Sequence, residues 1–328
     1  MKNAPNRRVR SYAFLFITAL LWGFAFAAQR LGGKALGPFS FNGIRFVIGC
    51  VSLIPLVIWM GRARARQGAY DSPDATSGKT AALRRTERKN LVGAGAVCGT
   101  VLFCGSSLQQ VGMLWTEAGK AAFLTGLYIV LVPIAGLLAG RRQGWGLGLG
   151  AGLAAIGLYL MSVRNGFSVS LGDSLEIASA FFWAGHILVL AYFSRRHDAV
   201  ALALVQNATC AALSLAVAIF AEGFGPGTVA CAFAPGPAGS LIPILYTGIG
   251  SIGIAYTLQI LGQKGVAAGP AALIMSMETV FAAIGGALVL GETMDARALA
   301  GAALMLAGML AAQLIPPDFG TRRDNAPS

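Results

Sequence analysis

Long apolar runs recur along the chain and constrain its fold more than any other feature. Ten of them have about the 20 residues that a helix needs to cross the hydrocarbon core of a bilayer. They cover roughly residues 12–30, 38–60, 91–114, 119–139, 144–163, 173–194, 199–221, 239–261, 268–290 and 297–315. Because no water satisfies backbone groups inside a bilayer, such runs fold as helices. The sequence therefore predicts an all-α integral membrane protein with ten transmembrane helices.

Composition agrees with lipid as the main solvent. Only 12% of the residues are charged, and mean hydropathy is +0.68, whereas a soluble chain is about a quarter charged. The net charge is +12, but the basic residues lie at the edges of apolar runs. This pattern predicts a lipid bilayer as partner and no nucleic acid. No metal site, cofactor or disulfide framework is expected.

The basic residues also predict the orientation of the chain. With the amino terminus inside, 19 of the 25 lysines and arginines fall in inside segments. Segment 61–90 holds many of them and is expected to be a basic cytoplasmic loop. Since positive charge marks the cytoplasmic side, both termini are expected in the cytoplasm. We expect a multi-pass protein of a bacterial inner (cell) membrane.

The two halves of the chain share a sequence pattern. LQQVGMLWTEAGKAAF at 108–123 aligns with LQILGQKGVAAGPAAL at 258–273, an offset of 150. Trp22 aligns with Trp183 at an offset of 161. The same offset of 161 places Arg45 opposite Gln206.

The repeat unit contains five predicted helices. The first copy covers 12–163 and the second covers 173–315. An odd number of spans places the two copies in opposite orientations, so the sequence predicts an inverted repeat of five helices. Many secondary transporters have this architecture, with a substrate site near the midplane between the repeats.

Several stretches carry a resemblance to a known family. They are LLWGFAFAAQR at 20–30, FNGIRF at 41–46, TEAGKAAFLTGLYIVLVP at 116–133, METVFAAIGGALVLGE at 277–292 and LAGAALMLAGML at 299–310. The chain resembles the drug/metabolite transporter superfamily and, within it, the ten-span EamA-type carriers. The resemblance implies export of small molecules. One departure is Thr279, because family members often carry a proline after the glutamate.

Glu278 lies one residue from the centre of the predicted span 268–290. A carboxylate at that depth costs about 2.5–3.5 kcal/mol on insertion scales, so a role is expected for it. Three hypotheses remain open: a proton carrier, a binding site for a cationic amine, or a structural partner of Arg45 or of a helix terminus. The repeat aligns Glu278 with Tyr128, and Thr125 lies one turn from Tyr128. We expect these polar residues to line one central cavity.

Four further residues are candidates for the same cavity. Trp22 and Trp183 could stack on an apolar or aromatic substrate, or could serve ordinary helix packing. His186 lies one turn after Trp183, either as a proton relay or as a neutral, hydrogen-bonded residue. Arg45 is expected to bind a substrate carboxylate or Glu278, or else to snorkel to the outer interface or cap helix ends.

These features favour a secondary active transporter over other membrane proteins. The hypothesis is an exporter of a small amphipathic metabolite, amino-acid-like or drug-like, that works by alternating access, with proton coupling as one option. A passive channel or lipid-handling protein is the alternative. An integral membrane enzyme is less favoured, because the chain has two histidines and no two adjacent acids in a span. Substrate identity, export against import and oligomeric state are left open.

Overall fold

Helices form the architecture of the protein. A computed structural model describes residues 4–33, 36–71, 78–116, 118–140, 144–162, 170–236, 240–291 and 295–315, and these ranges contain no strand. The helices are α1 (Ala4–Gly33), α2 (Pro38–Asp71), α3 (Gly78–Gly112), α4 (Ala118–Gly126), α5 (Tyr128–Leu138), α6 (Trp145–Ser162), α7 (Leu171–Phe193), α8 (Ala199–Ala221), α9 (Pro226–Phe233), α10 (Leu241–Leu245), a π-helix (Tyr246–Ala255), α11 (Tyr256–Gln263), α12 (Ala268–Met275), α13 (Glu278–Leu290) and α14 (Ala296–Leu314).

Within the described ranges, seven helical segments are long and apolar enough to cross a membrane. They are Arg8–Gly33, Pro38–Met60, Arg85–Gly112, Leu171–Phe193, Ala199–Ala221, Leu241–Gln263 and Ala268–Leu290. Three shorter apolar segments, Leu124–Leu138, Trp145–Gly157 and Leu299–Gly308, fall within the fourth, fifth and tenth predicted spans. The all-α transmembrane class of fold is thus confirmed, while the count of ten spans in two inverted repeats stays a prediction.

Segment 61–90 is helical where the structure describes it. The membrane helix α2 continues to Asp71, and α3 begins at Gly78, well before its apolar part. Residues 72–77 of the expected loop lie outside the described residues. The described flanks are rich in alanine, arginine and lysine, which have high helix propensity. Such residues extend a helix whose first turns have already formed.

Helix packing recurs between the two halves. The sequence offsets pair α1 with α7, α2 with α8, α3 with the π-helix and α11, α4 and α5 with α12 and α13, and α6 with α14. In the structure α1 packs against α12 and α13, and its counterpart α7 packs against α4 and α5. α2 packs against the π-helix as α8 packs against α3. Each of these contacts in one half of the chain thus has a counterpart between the equivalent helices of the other half.

Glycines also allow a close approach between α6 and α14. A methyl group on Gly308 would lie 2.5 Å from the carbonyl oxygen of Gly150, and one on Gly157 would collide with the carbonyl oxygen of Gly301. The same four glycines are aligned by the repeat at an offset of 151. Small residues at a crossing bring helix backbones together, which stabilises packing in lipid.

The helices of the fourth and ninth predicted spans are interrupted at corresponding places. Leu127 separates α4 from α5, and residues 276–277 separate α12 from α13. The Leu127 amide bonds to the carbonyl of Leu124 at 3.3 Å, and the Met277 amide bonds to the carbonyl of Ile274 at 3.2 Å. Both places therefore carry the tighter i to i+3 bonds of a 3₁₀ turn.

The eighth predicted span contains a π-helical segment, whose carbonyl groups accept bonds from side chains of other helices. Thr18 Oγ1 donates to the carbonyl of Ala255 at 3.2 Å, and Asn207 Nδ2 donates to the carbonyl of Ile252 at 3.4 Å. π-helical turns are often found at functional sites. This segment lies against α1 and α2 and forms part of the cavity described next.

Candidate functional site

A central cavity brings together most of the residues that the sequence singled out. Six of the seven predicted site residues line it: Trp22, Arg45, Thr125, Tyr128, Trp183 and Glu278. They come from α1, α2, α4, α5, α7 and α13. The empty volume is about 540 Å³, including the open end of the cavity. Helices from both halves of the chain therefore enclose one polar and aromatic space.

Tyr128 and Glu278 meet at this cavity. The Tyr128 hydroxyl donates a hydrogen bond of 3.0 Å to Oε1 of Glu278, and both side chains are buried. Each is the first residue of the helix that follows an interruption. The helix dipole at such an end favours a negative charge. The interruption exists although Thr279, not proline, follows the glutamate.

Arg45 faces the cavity without pairing with Glu278. Its side chain is buried, and its guanidinium carbon lies 5.4 Å and 5.5 Å from the ring centroids of Phe41 and Phe46. Its Nε atom is buried and has no acceptor within the described part of the chain. In the part of the chain that the structure describes, the partner of Glu278 is Tyr128. Arg45 also does not snorkel to an interface, because it lines the interior.

The two repeat-related tryptophans present indole rings to the cavity. Trp22 Nε1 donates to the carbonyl of Ser251 at 3.1 Å, and Trp183 Nε1 donates to Oε1 of Gln109 at 2.9 Å. The ring of Trp22 contacts Tyr256 edge to face, with 5.0 Å between centroids. The protein thus satisfies both indole N–H groups, so neither needs a hydrogen-bond partner from a ligand.

His186 is the predicted residue that the structure does not bring into the cavity lining. It is fully buried, and its Nε2 atom lies 3.2 Å from Oε1 of Gln206. Its ring contacts Trp183 and Tyr256 edge to face, at 6.3 Å and 5.9 Å between centroids. His186 lies one helical turn after Trp183, and its side chain points toward Tyr256. His186 therefore supports two aromatic residues of the wall.

Five further polar residues of the wall are not among the predicted site residues: Gln29, Gln109, Ser251, Tyr256 and Gln259. Gln29 also lines a second cavity at the ends of α1 and α3, so the two cavities adjoin at this side chain. A usable signal was a polar residue one turn from another in an apolar run, as Tyr256 is from Gln259. Glu176 is a second buried acid that was missed, and its carboxyl contacts Thr125 behind the wall.

Fold and cavity together define a polytopic α-helical membrane protein with a polar central cavity. Its sequence matches a model of the EamA-like transporter family twice, over residues 9–163 and 170–312. The chain belongs to the EamA-like transporter family. The family resemblance stated from the sequence is thus confirmed.

Two comparisons extend this assignment. An "Uncharacterized transporter" of Archaeoglobus fulgidus is 27% identical over 306 residues, which cover 92% of this chain and 84% of the relative. A protein of known crystal structure shares the fold with a TM-score of 0.67 at 19% identity, over 94% of this chain and 97% of the other. Both the family and the relative's name indicate a transporter.

Proposed function

We propose that this protein is a secondary active exporter of a small amphipathic metabolite, amino-acid-like or drug-like, that works by alternating access with proton coupling. The observation that carries the proposal is the meeting of Tyr128 and Glu278, which are related by the repeat and bonded across one cavity. A site that contains equivalent residues from both repeats lies at the interface between the repeats.

Alternating access follows from an inverted repeat of five helices, at 12–163 and 173–315. Three observations support such a repeat. The halves align at fixed offsets, the family model matches each half separately, and the helix contacts recur when the halves are exchanged. Rocking of one repeat against the other around a fixed site then opens the cavity to each side in turn.

The cavity wall supports an amphipathic substrate. Trp22, Trp183 and Tyr256 present aromatic surface to an apolar group. Arg45 offers a guanidinium group to a carboxylate, for which its planar fork is well suited. Glu278 offers a carboxylate to an amine. The ligand that fits this wall has an apolar group on one side. On the other side it carries an ammonium group, a carboxylate, or both, as an amino acid does.

Proton coupling rests on the position of Glu278. Its carboxyl has a neutral donor, Tyr128, as its hydrogen-bond partner, so it can gain or lose a proton without breaking an ion pair. A charge that crosses the membrane gains about 2.3 kcal/mol per 100 mV. Exchange of a proton for substrate at this carboxyl would use that energy. If the amino terminus lies in the cytoplasm, the end of α1 that carries Gln29 lies toward the outer side of the membrane, and so does the adjoining second cavity.

Counterflow in proteoliposomes tests the transport mechanism. Vesicles are loaded with a pool of unlabelled amino acids and small amines, and each labelled member of the pool is added outside. A carrier cycle predicts transient accumulation of at least one labelled compound against its own gradient. Rapid downhill flux without accumulation would contradict the proposal and indicate a passive channel instead. Tyr128→Phe provides a site variant, and Tyr246→Phe provides a matched control outside the cavity.

A further inference from the structure

Glu176 is a second carboxyl that is buried inside the helix bundle. It lies in the second turn of α7 and is 0% exposed. Its Oε2 atom lies 3.0 Å from Oγ1 of Thr125, and its Oε1 atom has no hydrogen-bond partner among the described residues. Among the side chains that the structure describes, no cation contacts either oxygen. A buried carboxylate with one oxygen unsatisfied and no counter-ion is costly.

Hydrogen-bond geometry at Thr125 favours a neutral acid. The single hydroxyl proton of Thr125 faces two acceptors, the carbonyl of Ala121 at 2.8 Å and Oε2 of Glu176 at 3.0 Å. With a carboxylate at Glu176, that proton can serve one acceptor at a time. With a carboxylic acid, Oε2–H donates to Oγ1 and the hydroxyl donates to Ala121. Both short distances then correspond to hydrogen bonds.

The repeat offers a natural comparison for the packing role of Glu176. At an offset of 161, its counterpart in α1 is Leu15. A methyl group on Gly112 would lie 2.8 Å from Oε1 of Glu176, and one on Gly262 would lie 2.7 Å from Cγ of Leu15. Gly112 and Gly262 are themselves aligned by the repeat at an offset of 150. An apolar leucine thus fills the corresponding space, so packing alone does not require a carboxyl.

The other acid of this helix is differently placed. Asp173 lies one turn before Glu176, where its Oδ1 atom accepts from Thr116 Oγ1 at 3.0 Å and its Oδ2 atom accepts from the Ser170 amide at 2.7 Å. Both oxygens are satisfied, and Asp173 caps the start of α7. Its role is structural, whereas Glu176 has an oxygen to spare.

We propose that Glu176 is a second proton-binding site of the transport cycle, and that Thr125 connects it to the cavity. Thr125 contacts Glu176 and also lines the cavity. When the acid proton moves from Oε2 to Oγ1, the hydroxyl turns its own proton from the carbonyl of Ala121 to a water in the cavity and releases it there. A second rotation of the hydroxyl then returns Thr125 to its starting state. One proton leaves Glu176 and one reaches the cavity. This proposal rests on the proposed transport function and adds a second acid to it.

Infrared spectroscopy of the reconstituted protein tests the proposal without a substrate. A protonated carboxyl has a C=O stretch that is separate from the carboxylate bands and shifts in D₂O. At neutral pH we expect one such band to disappear in both Glu176→Gln and Glu176→Leu. The leucine variant copies Leu15 and should therefore fold. A spectrum of correctly folded Glu176→Leu that keeps every wild-type carboxylic acid band would overturn the proposal.

Exchange kinetics test the relay through Thr125. After transfer to D₂O, the Glu176 band should shift at least tenfold more slowly in Thr125→Val than in wild type, whereas Thr125→Ser should retain the wild-type rate. Equal exchange in Thr125→Val would overturn the role of Thr125. Failure of the counterflow experiment would leave these spectra unchanged, so the two proposals can fail separately.

Discussion

Tyr128 and Glu278 lie 150 positions apart in the chain and are joined by a hydrogen bond of 3.0 Å. The same offset of 150 aligns 108–123 with 258–273. Residues at equivalent positions of two repeats can touch when both lie near the axis that relates the repeats. Under the proposed alternating access, the cavity around this pair is the place where a movement of one repeat against the other would change access while the ligand stays at one site.

Replacing Tyr128 by phenylalanine should impair transport more than folding. The change keeps the ring and removes the donor to Glu278, and a hydrogen bond to a charged group contributes about 1.5–3 kcal/mol. We expect kcat/KM for the transported compound to fall about 10- to 100-fold. The measurement is initial uptake into proteoliposomes at several concentrations.

Tyr246→Phe is the matched control for that variant. It removes a hydroxyl that donates to the carbonyl of Leu21 at 2.9 Å, and Tyr246 does not line the central cavity. Its kcat/KM should stay within about twofold of wild type. If both tyrosine variants lost activity equally, the special role of Tyr128 would be wrong.

Trp183 should contribute to binding through its ring face. In Trp183→Ala the apparent affinity for an aromatic substrate should fall about 3- to 10-fold, since aromatic pairs contribute about 0.5–1.5 kcal/mol beyond area burial. A substrate with a small aliphatic side chain should be affected less. Trp59, which is 66% exposed on the surface of α2, provides the control substitution. Equal losses for aromatic and aliphatic substrates would argue against stacking.

Much of the fold could be predicted because lipid imposes simple rules. Each long described span coincides with an apolar run, and the alignment of the halves already related Tyr128 to Glu278. The π-helix was not predictable, because its carbonyl groups accept hydrogen bonds from helices that are distant in sequence. One example is the bond that Trp22 Nε1 donates to the carbonyl of Ser251. The polarity of 61–90 predicts a loop, whereas the described ends of α2 and α3 are helical because alanine, arginine and lysine favour a helix.

The site was predictable in outline and less so in detail. Thr125, Tyr128 and Glu278 could be identified because they are polar residues in the middle of predicted membrane helices, where exposing a polar side chain to lipid is costly. His186 was expected at the cavity because it lies one turn after Trp183. The direction of its side chain depends on how α7 is rotated against its neighbours, which the sequence alone does not determine. Glu176 was missed because it lies close to the start of its helix, where an acid is ordinarily a capping residue.

Gly23 should be essential for the packing of α1 against α13. A methyl group there would collide with Cβ of Phe281 and lie 2.7 Å from the carbonyl of Glu278. Gly23→Ala should therefore lower stability by about 1–3 kcal/mol, measured as unfolding in detergent. Gly152→Ala in α6, which would meet no atom within 4 Å, should be neutral or stabilising by about 0.5–1 kcal/mol. Equal stability of the two variants would contradict this packing.

Glu222 should stabilise the junction of α2 and α8. Its carboxylate accepts bonds from the amides of Phe39 and Ser40 at 2.9 Å and 2.7 Å, and from the Ser40 hydroxyl at 2.6 Å. Loss of a helix cap costs about 0.5–2 kcal/mol, so Glu222→Ala should lower the melting temperature by about 1–3 °C in a chain of this length. Glu87→Gln, at an exposed position of α3, should leave it unchanged. An unchanged melting temperature in Glu222→Ala would show that the cap is dispensable.

Uptake driven by a pH gradient, compared between wild type and Glu278→Gln, tests the central claim most directly. Purified proteins are reconstituted side by side and given the labelled pool of amino acids and small amines. The account predicts that gradient-driven uptake by wild type vanishes in Glu278→Gln, while Glu87→Gln behaves as wild type. Equal gradient-driven uptake by wild type and Glu278→Gln would contradict it, and Glu278 would then be a structural residue of the cavity wall.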